Sequence, residues 1–252
     1  MKSFDELALA YDNSIDWDSR LGREMPFLQS VMTEYSSSRV LDMACGSGRH
    51  SVALASLGCQ VVAFDASESM ITAARNHARD NKVEVEFRIA DMQSFSSIVE
   101  GFFDVVLCLG NSLALLPTIE VLQNVVESVH NVLNPSGSFI FQVLNFEEIL
   151  NSGFRFFPIK GGNTAAGDEV VFSRFYEHGA KHWSTLVATS FVKRGVDWET
   201  AISTQRVLHT DKDMVKKALT TAGFEDFDFF SDYHQNELVP DRSRNLVVWA
   251  RR

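Results

Sequence analysis

Between residues 39 and 144, short continuous apolar runs alternate with stretches whose apolar residues fall three and four apart. The runs read as buried strands and the stretches as amphipathic helices. The order predicted is strand 39–43, helix 47–57, strand 60–64, helix 67–80, strand 83–89, strand 103–109, helix 119–133 and strand 137–144. The runs at 103–109 and 138–144 are nearly continuous apolar stretches, as strands covered on both faces should be. Regular alternation of this kind predicts an α/β, doubly wound, mostly parallel sheet. Residues 4–35 read as helix in pieces, with Phe4, Leu7, Ala8 and Tyr11 in one piece and Leu21, Phe27, Leu28 and Val31 in another. Pro26 is expected to interrupt and restart that second piece. Ser36-Ser-Ser reads as a linker into the first strand.

The period changes after Asn145. Residues 168–177, 184–194 and 197–208 alternate with period two and have no helices between them. Turns are expected at His178-Gly-Ala-Lys and Gly195-Val-Asp, giving an antiparallel meander inserted in the parallel core. A helix over 211–222 follows, with Thr210 expected as its N-cap and Gly223 as its stop. Residues 224–231 and 245–250 read as two last strands.

The chemistry gathers after the first strand, in Val40-Leu-Asp-Met-Ala-Cys-Gly-Ser-Gly-Arg-His50. Two glycines one residue apart permit φ > 0 and let a ligand lie on bare backbone. A dinucleotide fingerprint would carry a third glycine where Ser51 stands. Asp42 lies at the strand end instead, and an acidic end suits a nucleotide cofactor with a free ammonium and no phosphates. S-adenosylmethionine (SAM) is such a cofactor. The second strand ends in Asp65, at a spacing that suits ribose hydroxyls.

Five segments in order resemble the class I SAM-dependent methyltransferases. They are Leu41-Asp-Met-Ala-Cys-Gly-Ser-Gly-Arg-His, Phe64-Asp-Ala-Ser-Glu-Ser-Met-Ile, Ala90-Asp-Met-Gln-Ser-Phe, Phe103-Asp-Val-Val-Leu-Cys-Leu-Gly-Asn-Ser and Leu133-Asn-Pro-Ser-Gly-Ser-Phe-Ile-Phe. The resemblance implies a Rossmann-like seven-stranded sheet, mostly parallel, with an antiparallel C-terminal edge pair. It also implies an inserted antiparallel β lid and an N-terminal helical cap. The corresponding division is a cap at 1–38, a SAM-binding core at 39–150 and 209–252, and a substrate lid at 151–208. It implies that backbone at Ala44, Gly46 and Gly48 meets the methionine part and that Asp65 binds ribose. Asp91 would accept from the adenine amino group, or alternatively cap a helix before Phe95. Met92 would cover the ring, with Ala66 and Met70 beside it or simply packed at a helix start. The Leu109 carbonyl would take the ammonium. Tyr11-Asp-Asn-Ser-Ile-Asp-Trp17-Asp-Ser-Arg20 resembles the N-terminal cap of small-molecule enzymes of the class. Arg20, with Arg23 as the alternative, would grip the SAM carboxylate. Tyr11 and Trp17 would close over the acceptor.

Leu107-Cys-Leu-Gly-Asn111-Ser and Asn145-Phe-Glu-Glu-Ile-Leu resemble the glycine and sarcosine N-methyltransferases in particular, which implies a catalytic place for Asn111 beside the acceptor. Leu144 departs from that pattern. The glycine enzyme has there an arginine that pairs the substrate carboxylate. Arg174, on one strand face with Phe172 and Tyr176, is the candidate replacement; the alternative is an exposed lid residue. Five phenylalanines, at 154, 156, 157, 172 and 175, surround this segment, as lid core or as an aromatic lining for a sulfonium.

Composition narrows the alternatives. A net charge of −10 argues against nucleic acid. No apolar run reaches the length of a membrane span, and the polar N-terminus is unlike a signal peptide. Cys45, Cys59 and Cys108 form no CxxC pair and read as reduced thiols of a cytoplasmic protein. No metal is expected, since a glycine turn separates His178 from His182. The expectation is a SAM-dependent enzyme that releases S-adenosylhomocysteine (SAH), acts on a small-molecule acceptor, and is a monomer or homodimer. A non-catalytic SAM-binding regulator and a nucleotide-dependent oxidoreductase are the other readings.

Overall fold

A computed structural model describes residues 11–12, 14–33, 38–163, 167–179 and 182–252. The helix expected around Phe4, Leu7 and Ala8, most of the Ser36 linker, and Ala180 and Lys181 of the expected turn lie outside the described residues.

The parallel strands are β1 (Arg39–Met43), β2 (Gln60–Asp65), β3 (Glu86–Ile89), β4 (Phe103–Cys108) and β5 (Leu133–Leu144). Helices α1 (Trp17–Thr33), α2 (Arg49–Ser56), α3 (Glu68–Asp80) and α4 (Ile119–Val132) cover them. Near the C-terminus, α6 (Lys212–Ala222) leads to β10 (Asp226–Phe230) and β11 (Asn245–Arg251). The strand order is β10-β11-β5-β4-β1-β2-β3, with β11 antiparallel to both neighbours. This is the doubly wound, seven-stranded sheet with an antiparallel edge pair.

Alternation along each strand builds two cores. Val40, Val105 and Leu107 pack with Phe27, Leu28 and Val31 of α1, Val52 and Leu54 of α2, and Ile71 of α3. Leu41, Val106 and Cys108 face the other way, onto Leu122 and Val125 of α4 and Val215 and Leu219 of α6. Both faces are therefore covered, which is why the central strands read as nearly continuous apolar runs.

A second sheet, β6 (Lys160–Asn163), β7 (Glu169–His178), β8 (Trp183–Arg194) and β9 (Asp197–Leu208), is antiparallel throughout. It follows a short helix, α5 (Phe146–Asn151). At its root Tyr176 and Val207 pack with Phe146, Ile149 and Ala114.

Several expectations need correction. Helix α1 runs through Pro26 without a break. An interior proline costs ~3 kcal/mol, and burial of Met25, Phe27, Leu28 and Val31 on the core offsets it. Strand β3 is shorter than expected, while β5 begins at Leu133. Helix α6 is capped by Asp211, which accepts from the Met214 N–H. The Thr210 hydroxyl instead donates to the Leu144 carbonyl at 2.8 Å, tying the exit of the second sheet to the end of β5. Gly223 ends α6 as expected, at φ 98. Strand β6 and helix α5 have no counterpart in the sequence reading. Each is short, and β6 contains two glycines that hide its alternation.

Candidate active site

The strand order reverses between β1 and β4, so a crevice opens beyond their carboxyl ends, the usual place for a ligand in such sheets. A cavity of about 550 Å³ lies there. Arg20, Asp42, Ala44, Gly46, Met70 and Leu109 form one wall. Tyr11, Trp17, Asn111, Arg174 and Tyr176 stand around the rest of it. Gly48, Asp65, Ala66, Asp91 and Met92 are not among its lining.

The turn after β1 is strongly left-handed: φ is 52 at Ala44, 55 at Gly46 and 72 at Gly48. The two glycines do different work. A Cβ on Gly46 would meet nothing within 4 Å, so bare backbone faces open space. A Cβ on Gly48 would lie 2.7 Å from the Ala74 Cβ and 3.0 Å from the Phe87 ring. Gly48 is thus needed for close packing of the turn against α3 and β3.

Asp65 braces this turn. Its carboxylate accepts from the Gly46 N–H and the Ser67 N–H, each at 2.9 Å. Asp42 is buried and accepts from the Ser51 hydroxyl at 2.5 Å. Ser51, where a dinucleotide fingerprint has glycine, is therefore the partner of the acidic strand end. Burial pushes the Asp42 carboxyl above its ordinary value, with Asp65 adding to this and His50 and Ser51 opposing it. Burial, Asp42 and Asp65 push the neighbouring Cys45 thiol well up, favouring its neutral form.

Arg20 belongs to a network that the sequence did not disclose. Its Nε donates to Glu24 at 2.9 Å, and the other Glu24 oxygen meets His50 Nε2 at 2.7 Å. The guanidinium lies 4.8 Å from the centroid of the Trp17 ring, and Trp17 packs edge-on against His50. Burial raises the Glu24 carboxyl, but the His50 bond and the Arg20 charge outweigh it and hold the group below its ordinary range. Arg23 instead reaches the Ser19 hydroxyl on the exposed side of α1.

At the end of β4, Asn111 sits at φ 70. Its N–H donates to the Gln142 carbonyl at 3.0 Å, and its Oδ1 accepts from the Leu144 N–H at 2.7 Å. Asn111 therefore fixes the tips of β4 and β5 together at the cavity edge. The Leu109 carbonyl accepts from Ser112 and retains a second lone pair. Asp91 is exposed and caps its own turn, accepting from the Gln93 N–H at 2.7 Å. Met92 packs onto the core beside Cys108.

The second sheet closes the far side. The ladder pairs Phe172 with Ser190, Arg174 with Ala188 and Tyr176 with Leu186, and paired residues share a face. All six line the cavity. The Arg174 guanidinium lies 4.4 Å from the Tyr11 ring centroid and 4.6 Å from that of Phe157. Burial pushes the Tyr176 phenol up to about 12, with Arg174 and Arg244 opposing, so it is neutral at physiological pH. Lys160 stands 5.3 Å from the Tyr11 centroid. Burial lowers its ammonium pKa, and the charges of Arg174 and Arg20 lower it further.

The donor set suits SAM. Open backbone at Gly46, a carboxylate at the end of β2, a cation at Arg20 and a carbonyl at Leu109 match the parts of that molecule. Among the described residues, no cluster of three or more His, Cys, Asp and Glu side chains could hold a metal ion.

Comparison with known proteins agrees with this chemistry. The sequence model of a family described as "Methyltransferase domain" matches residues 40–137. The glycine/sarcosine N-methyltransferase of Parasynechococcus marenigrum (strain WH8102) is 28% identical over 236 residues, spanning 92% of this chain and 78% of that protein. The enzyme of the same name from Aphanothece halophytica is 29% identical over 238 residues, spanning 90% and 83%. Among solved structures, SAM-bound CalS10 from Micromonospora echinaspora, an amino pentose methyltransferase, superposes with a TM-score of 0.72. It has 18% identity and covers 100% of this chain and 99% of that one. The glycine turn with its Asp65 brace, the crevice at the strand-order reversal and these relatives agree: residues 40–137 match a methyltransferase domain, and the chain is similar over most of its length to the glycine/sarcosine N-methyltransferases.

Proposed function

We propose that the enzyme methylates a small molecule bearing an acidic group, and that Arg174 receives that group. The observation that carries this is a cation without an anion. The Arg174 guanidinium is flanked by two rings inside the cavity, and no ion pair to it is recorded among the described residues. Lys160 lies beside it, its charge disfavoured by burial and by Arg174. An acidic ligand would relieve both. A carboxylate suits the planar fork of arginine best. The relatives named for glycine and sarcosine are consistent with an acid, but Leu144 stands where the glycine enzyme has its carboxylate-pairing arginine. Glycine itself is therefore expected to be a poor acceptor.

Within this reading, residues 1–38 form the cap, 39–150 and 209–252 the SAM-binding core, and 151–208 the lid. Bound SAM supplies a methyl group already activated on its sulfonium. The chain's part is to hold the parts in line and exclude water. Backbone at Ala44 and Gly46 takes the methionine end, Arg20 its carboxylate and the Leu109 carbonyl its ammonium. Asp65, at the end of β2, takes the ribose. Met70 lies along the adenosine. Asp91 reaches adenine only by giving up its turn cap. Asn111 holds the strand tips beneath the acceptor, and Tyr11, Trp17 and Tyr176 enclose it. Three free thiols fit a reducing, cytoplasmic setting.

The test is a panel of amino acids, hydroxy acids and amines, read as SAH formation. Acids should be preferred to their amides. Arg174→Leu should raise KM for the best acid roughly 10- to 100-fold, as loss of a charge-assisted pair would, and leave SAM affinity in place. An unchanged KM, or equal turnover of amides, would remove the acidic group from the reading.

A further inference from the structure

Asp12 is an acidic side chain that the cofactor does not call for. It is only 6% exposed, lines the cavity, and its Oδ2 has no hydrogen-bond partner among the described residues. A buried carboxylate oxygen left unpaired is destabilising unless something completes it. Ser190 on β8 repeats the pattern: 3% exposed, on the same cavity, its hydroxyl also unpartnered.

The position of Asp12 says which ligand is missing. Its neighbour Tyr11 packs on the lid, edge-on to Phe172 at 5.7 Å and against Arg174. Its own carbonyl accepts from the Trp17 indole N–H at 3.1 Å, and Trp17 packs on His50 and Arg20 of the cofactor wall. Asp12 thus stands at the seam between donor and acceptor halves, where the transferred methyl must cross. A carboxylate can only accept, so the missing partner is a donor.

We infer that Asp12 binds the N–H or O–H of the acceptor's own nucleophilic atom and takes its proton, with the Ser190 hydroxyl a second contact to the same molecule. As the nucleophile's lone pair bonds to the methyl carbon, the carbon–sulfur bond breaks and its electrons stay on sulfur. The nucleophile's proton passes to Asp12 and from there to water. The inference rests on the methyltransferase reading but not on the acidic group assigned to Arg174.

The test is Asp12→Asn with Asp12→Leu beside it, each measured three ways. A ligand-binding carboxylate without its ligand is a stability liability. Both variants of the ligand-free protein should therefore melt no lower than wild type. SAM affinity by calorimetry should move less than about threefold. SAH formation with the best acceptor of the panel should fall roughly 10- to 100-fold in kcat/KM, with loss in kcat and not only in KM. A clear drop in melting temperature with turnover intact would make Asp12 a structural residue, and lost SAM affinity would make it a cofactor ligand. Either overturns the inference. If Arg174→Leu has no effect on the acid while Asp12→Asn abolishes turnover, the acidic group fails and this assignment stands.

Discussion

Two glycines one residue apart meet different surroundings at the resolution of a single Cβ. At Gly48 an added methyl meets Ala74 and Phe87. Overpacking of that kind costs ~1–3 kcal/mol, so Gly48→Ala should lower the melting temperature by several degrees. At Gly46 there is room for a side chain, and the left-handed backbone costs roughly 1–2 kcal/mol. Gly46→Val should remain folded and lose SAM binding, measured by thermal melting and calorimetry together. Retained affinity in the folded variant would reduce the turn to a structural role. The sequence displayed both glycines and Asp65, because turn and strand end are local features. It could not display that Gly48 belongs to the packing of α3. It could not display the Glu24–His50 pair or the unpaired oxygen of Asp12 either, since those depend on segments brought together by the fold.

At the scale of elements, α1 is held to α2 through Glu24, which bonds Arg20 on its own helix and His50 on the next. The folded-state pKa of Glu24 is lowered. A depressed carboxylate stabilises the fold fully above its unfolded value of about 4.5. That stability is lost as pH falls through the folded value. Glu24→Gln should therefore lower stability at neutral pH and flatten the acid limb of the curve, read from urea midpoints between about pH 3 and pH 7. A limb as steep as wild type's would mean that another carboxylate carries it. The amphipathic spacing of α1 was legible, but Pro26 pointed to a break that burial overrides. The α6 cap was misplaced by one residue because Thr210 and Asp211 are both good caps. Only the contact of Thr210 with Leu144 decides between them.

For the whole molecule, the parallel sheet followed from the strand–helix alternation over 39–144 and the inserted meander from the change of period at Asn145, while the antiparallel edge pair was what the family resemblance implied. The placement of the second sheet over the cavity followed from none of these, for it rests on packing of Tyr176 and Val207 against Phe146 and Ile149. If that sheet is the lid, hydrogen exchange should report it. SAH alone should protect amides around 40–70. SAH with the best acid of the panel should extend protection to β7–β9. Protection that never leaves residues 40–92 would show the acceptor sitting elsewhere.

The ladder of the second sheet has a consequence for how such an enzyme changes its diet. Ser190, Ser203 and Gln205 all project onto the cavity, from strands that contribute nothing to the turns after β1 and β2. If that sheet is the lid, what the enzyme accepts is written on one piece of chain, and what it donates on another. The inward positions of β8 and β9 can be rewritten, by natural drift or by a mutagenesis library, while the costly half of the machinery stays untouched.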